Sequence, residues 1–185
     1  MKHKSYLLIA FLFFFVACGD CIKDLFVKDK EFSLKTIPYT ENELRIDGYY
    51  HKKYNDKYSN VLVFYANGVR FGGSGVTTTN EIEDELRDPD YTKKLSNRLT
   101  CWGPYEINNN VLRFEYYDIF GNFWRTCIAH CEILNDTTFI VEKITFSKTG
   151  KEVNVEREGS SSGMLGEFHF KQFSPKPDST NTVVK

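Results

Sequence analysis

The feature that most constrains this chain is the punctuation of its second half. From Trp102 onward, Asn-, Asp- and Gly-rich separators at 108–110, 118–122, 135–136 and 149–150 cut the sequence into short segments. Residues of these types form tight turns, so the segments between them read as strands. Six are expected, at 102–107, 111–117, 123–134, 137–146, 152–157 and 167–173. Connections this short make consecutive strands antiparallel neighbours.

Three more strands precede them. Leu44, Ile46, Gly48 and Tyr50 alternate with polar neighbours, and 61–65 is a second apolar run. Asn67-Gly68 marks a tight turn into 69–71, and pairing about it places Leu62, Phe64, Ala66, Val69 and Phe71 on one face. With 16 Phe and 11 Tyr the composition favours strands. Nine short segments, connected in order, are enough to close an all-β, antiparallel up-and-down barrel of about 8–9 strands, which removes exposed edges.

Residues 72–100 interrupt this series. A Gly-Gly-Ser-Gly opening leads to a short helix from Glu81 and a second near 91–99. Asn80 with Glu83 three places on has the capping-box pattern, and Asp88-Pro89 ends the first helix. A long insertion between strands is commonly functional, and this one is placed as a lid over one end of the barrel.

Turn geometry also assigns side chains to faces. A two-residue turn at Asn109-Asn110 puts Tyr105 and Ile107 beside Leu112, Phe114 and Tyr116. A two-residue turn at Asn135-Asp136 aligns Arg125, Cys127, Ala129, Cys131 and Ile133 with Thr138, Ile140, Glu142, Ile144 and Phe146. Carrying that face across Thr149-Gly150 sets Phe146 by Val153, Ile144 by Val155 and Glu142 by Arg157. Arg125, Glu142 and Arg157 are then three charges on an apolar inner face. Two readings follow. Glu142 and Arg157 form an internal ion pair, or the charges orient a ligand, with Arg125 or Arg157 meeting an acidic head group beside Tyr105 and Phe114.

The N-terminus places the chain. Lys2 and Lys4 precede an apolar run of about a dozen residues, too short for a bilayer core, which needs roughly 20. The run reads as a removed leader over 1–17. Phe15-Val16-Ala17-Cys18 resembles a bacterial lipobox, which implies a lipid on the Cys18 thiol and a membrane anchor in the cell envelope, with the outer membrane as the expected site. Residues 18–43 mix Lys with Asp and Glu without a period and read as the lipidated Cys and its tether, followed by a barrel at 44–173. Residues 174–185 read as a polar, disordered tail.

The formal net charge is −1, and loss of the leader removes two lysines and no acids, leaving −3. That balance excludes a nucleic-acid partner held by basic excess. Cys127 and Cys131 stand on one strand face roughly 13 Å apart, too far for one zinc ion, and His130 points the other way. They read as small buried apolar residues. His51, His130 and His169 fall on different strands with no nucleophile motif beside them. The acidic group from Glu81 to Asp90 lacks a calcium-loop pattern and reads as a solvated helix face. No metal site, cofactor motif or catalytic set is expected.

Leu44-Arg-Ile-Asp-Gly-Tyr-Tyr50, Val61-Leu-Val-Phe-Tyr-Ala-Asn-Gly68, Trp102-Gly-Pro-Tyr-Glu-Ile107 and Asn135-Asp-Thr-Thr-Phe139 resemble the lipocalin-like barrels of bacterial envelope lipoproteins over about residues 44–173. Gly48 is followed by Tyr49 and Tyr50 rather than by the Gly-X-Trp of lipocalins. The expected function is a lipid-anchored, non-enzymatic barrel that binds a small, partly apolar or acidic ligand. The alternative is an accessory module that docks an envelope protein through residues 72–100 or the outer wall.

Overall fold

Each strand of the molecule is hydrogen-bonded to the next, and the last pairs back onto the first, so the sheet closes as an eight-stranded antiparallel barrel. A computed structural model describes residues 31–53, 59–74, 79–155 and 161–185. The strands are β1 (Gly48–Lys53), β2 (Ser59–Phe64), β3 (Val69–Ser74), β4 (Trp102–Asn108), β5 (Val111–Phe120), β6 (Phe123–Asn135), β7 (Thr138–Phe146) and β8 (Gly166–Gln172). Helices α1 (Thr79–Arg87) and α2 (Pro89–Leu95) lie between β3 and β4. This is the all-β barrel with a short helical insertion that the turn spacing predicts. The leader, Cys18, Cys21 and Arg157 lie outside the described residues.

The eighth expected segment, 152–157, is not a strand over its described residues 152–155. Around Glu152 the chain makes one isolated bridge to Thr145, and Val153 turns into the core. β8 instead pairs with the first half of β7, from Thr138↔His169 to Val141↔Gly166.

The turn at Asn109-Asn110 forms as expected, with both residues at positive φ (52° and 62°) and Tyr105↔Phe114 and Ile107↔Leu112 paired across it. Between β5 and β6, where the sequence predicts a four-residue loop at Asp118 to Gly121, the loop is two residues, since Phe120 pairs with Phe123. An even change of length preserves the faces, so Phe114 and Tyr116 still meet Ala129 and Cys127.

Two registers differ from expectation. The β2–β3 loop is three residues long: the Tyr65 amide donates to the Val69 carbonyl, the Gly68 amide donates to the Tyr65 carbonyl, and Gly68 takes φ +79°. The extra residue pairs Phe64 with Arg70 and Leu62 with Gly72. Leu62 and Phe64 therefore face the barrel interior, whereas Val69 and Phe71 face outward. Between β6 and β7 the register shifts twice, between His130 and Cys131, where Glu142 of β7 is the unpaired residue, and between Ile133 and Asn135. Phe139 and Val141 point inward on one side of the first shift, and Ile144 and Phe146 on the other. Glu142 is the extra residue and is exposed, so it is not on the inner face and is not an internal ion-pair partner.

The interior from the Asn109 end to the middle is an aromatic plug. Tyr50, Phe64, Tyr105, Phe114, Phe139 and Phe168 are each at most 1% exposed. Phe64 and Tyr105 meet edge to face at 4.9 Å, and Phe139 stacks on Phe168 at 5.1 Å. Each such side chain contributes about 1.5–3 kcal/mol through burial.

A second apolar cluster lies outside the wall. Tyr49, Val61, Val63, Val69, Phe71 and Trp102 are covered by Ile82 and Leu86 of α1, with Tyr91 and Leu95 of α2 packed alongside. Asp88 caps α2, its carboxylate accepting from the Asp90 amide at 2.9 Å, and Pro89 opens the helix. The insertion is thus a side cover on β1–β3, not a lid over an open end. Its apolar side is turned to the wall, and Glu81, Asp84, Asp88 and Asp90 face solvent, but Glu83 turns to the wall, accepting from the Tyr49 hydroxyl at 3.1 Å and pairing with Lys171 at 2.6 Å.

Both flanking segments pack on the barrel. Glu115 accepts from the Ser33 amide (2.7 Å), the Ser33 hydroxyl (3.0 Å) and the Leu34 amide (2.8 Å), and the Tyr39 amide donates to the Ala66 carbonyl. In the tail, Lys176 donates to the Ile46 and Phe64 carbonyls at 2.5 and 2.6 Å, while Val183 and Val184 join the outer cluster. Residues 31–43 form a strap rather than a free tether, and the C-terminal segment is fixed rather than loose.

Candidate functional site

The barrel wall opens where β4 begins late. β4 pairs with β3 only from Trp102, and with β5 only as far as Phe114. Residues 72–74 of β3 and 115–120 of β5 therefore lack a β4 partner, and the single 3₁₀ turn Leu99–Cys101 packs in the gap. A cavity of about 330 Å³ lies at this opening.

Its lining is mixed. Leu62, Tyr116, Trp124 and Met164 supply apolar surface, and Asn60, Arg70, Thr100 and Asp118 supply polar groups. The 3₁₀ turn Ser161–Met164 borders it, held by Asn60, whose side-chain amide donates to the Gly163 carbonyl at 2.6 Å, and by the Lys52 ammonium, which donates to the Gly163 and Leu165 carbonyls.

Arg70 is the unusual member. It is 2% exposed, and its guanidinium lies 5.4 Å from the ring centroids of both Phe114 and Tyr116. Among the described residues its one hydrogen bond is a long one, from Nε to the Glu115 carbonyl at 3.5 Å, and Nη2 has no partner. Burial pulls its pKa down to about 10, which leaves it a cation at neutral pH. The nearest acid in sequence across the wall, Glu115, has its carboxylate on the far side, engaged by Ser33 and Leu34. Gly72 makes room for the guanidinium: a Cβ there would stand 2.2 Å from Arg70 Nη1.

The residues named from sequence are dispersed. Phe114 lies under Arg70, beside the cavity. Tyr105 belongs to the plug, its hydroxyl donating to the Tyr65 carbonyl at 2.8 Å. Arg125 is on β6 facing inward, half-buried, with its guanidinium 4.9 Å over the Phe146 ring, but it does not line the cavity. Glu142 is outside the barrel, and Arg157 falls outside the described residues. Alternation about a two-residue turn points Arg70 to solvent, so sequence reasoning missed it. The signal that finds it is Gly72, two places on and on the same face, beside a turn able to hold three residues.

Cys101, Cys127 and Cys131 are buried free thiols, the last two on the inner wall, and burial raises the pKa of Cys131. His130 faces outward, its Nε2 2.9 Å from the Thr145 hydroxyl. His51 and His169 are cross-strand partners on β1 and β8, and neither borders the cavity. Among the described residues no three His, Cys, Asp or Glu side chains gather as a metal site, and no helix is long and apolar enough to cross a membrane.

No family model, curated protein or solved structure matches this chain.

Proposed function

We propose that the chain is a non-enzymatic lipoprotein of the bacterial envelope, anchored through Cys18, whose lipocalin-like barrel binds a small, partly apolar ligand. The observation that carries this reading is the cavity of about 330 Å³ in the wall gap between β3 and β5. Its size falls within the roughly 300–1,000 Å³ usual for ligand pockets, and its few polar groups set into apolar and aromatic walls are what orient a small molecule. The plug of aromatic side chains closes the rest of the interior, so the ligand enters at the gap and extends no further than Phe114.

Native mass spectrometry of the lipidated chain, extracted in detergent from the cells that make it, tests the reading. A small-molecule mass is expected on the wild type and not on Thr100→Trp, which fills the gap. A bare wild-type mass, or an adduct unchanged in Thr100→Trp, overturns it. The N-terminal peptide from the same sample reports whether Cys18 carries a lipid.

A further inference from the structure

Arg70 narrows the ligand class. A cation removed from water is costly unless an anion or a full set of acceptors meets it. Among the described residues the compensation is partial: two aromatic faces, one carbonyl at 3.5 Å and an unpartnered Nη2. No carboxylate of the described residues forms an ion pair with it. Yet the group is built in, because Gly72 leaves the space it fills and the three-residue β2–β3 loop turns it inward.

A guanidinium presents two parallel N–H groups that match the two oxygens of a carboxylate. The charge count favours a monoanion. Among the described residues that line the cavity Arg70 is the one cation, and a single guanidinium offsets the charge of a monoanion but not that of a dianionic phosphate. Next to Arg70, the walls that remain for the rest of the ligand are Leu62, Tyr116, Trp124 and Met164.

We infer that the cavity is a carboxylate site, in which Arg70 pairs with the acid group of a short aliphatic or aromatic carboxylic acid. This rests on the ligand-binding reading above and adds to it the class of ligand and the residue that selects it.

Calorimetric titration of the full chain in detergent with octanoate and with octanol separates the two. The probes share one apolar body and differ in the head group. Octanoate is expected to bind at least ten-fold more tightly than octanol, Arg70→Met to abolish that preference, and Arg70→Lys to keep part of it because an ammonium lacks the fork. Thermal melts supply a second readout. Octanoate raises the wild-type midpoint more than octanol does, and ligand-free Arg70→Met melts no lower than wild type, since it removes a poorly compensated charge. Octanol bound as well as octanoate overturns the carboxylate site and leaves the ligand-binding reading standing. Neither probe bound by a folded wild type overturns both. An Arg70→Met protein that melts lower and keeps the octanoate preference assigns Arg70 to packing and also overturns the inference.

Discussion

Arg70 and Glu142 occupy each other's expected places: alternation sends the arginine out and the glutamate in, and the barrel does the reverse. The consequence for Glu142 is measurable. An internal ion pair loses about 3–5 kcal/mol when one partner is removed, whereas an exposed residue at a bulge loses little. Glu142→Ala is expected to shift unfolding free energy by no more than about 0.5 kcal/mol in a urea titration. Gly68 behaves oppositely. Its φ of +79° and the Ile37 carbonyl 2.4 Å from where a Cβ would stand mean that Gly68→Ala strains the loop and displaces the strap. That substitution should cost about 1–3 kcal/mol by the same measurement.

Elements succeed or fail as predictions according to where their registers are set. The β4–β5 hairpin was legible because Asn109-Asn110 tolerates positive φ at both turn positions and so admits the two-residue turn. The Ala66-Asn67-Gly68 turn was not, because one glycine in the left-handed region serves a two-residue or a three-residue loop equally, and the choice is decided by which face of β3 covers the interior. The β7 bulge escaped for a related reason: Ile140, Val141 and Ile144 satisfy either alternation locally, and only closure against β8 and β6 selects one. The number of strands was readable, whereas the cavity depends on β4 starting at Trp102, a tertiary fact with no local signature. The strap left a faint trace at best. Glu115 lies mid-strand between Phe114 and Tyr116, and an acid there reads as exposed until residues 33–34 are seen to cover it. Glu115→Ala leaves the Ser33 and Leu34 amides without their acceptor. Loss of about 1–3 kcal/mol is expected, with faster hydrogen exchange at those two amides than elsewhere in the barrel.

At the scale of the whole molecule, closing the barrel and folding both flanks onto it buries groups whose titration is then linked to stability. Lys176 is held against the Ile46 and Phe64 carbonyls and 4.7 Å over the Tyr65 ring, and burial lowers its pKa to about 8. Between that value and the ordinary lysine value the unfolded chain keeps a proton the folded chain has released, so this residue makes stability rise with pH. The buried thiols of Cys101 and Cys131 and the phenols of Tyr49, Tyr50, Tyr65 and Tyr105 have raised pKa values, again through burial. Their protonated forms favour the fold, and that contribution is lost as pH climbs past the values of the unfolded groups. The two trends oppose each other in alkali, so the wild-type profile alone does not isolate the lysine. Comparison with Lys176→Met does. The stability of wild type relative to this variant is expected to increase by about 1–2 kcal/mol from pH 8 upward, the partial exposure of Lys176 having reduced the full linkage. Both proteins then lose stability together at higher pH as the thiols and phenols ionise on unfolding. A wild-type-to-variant difference that stays flat across that range in urea titrations shows that Lys176 is solvated and that the C-terminal segment does not close this end of the barrel.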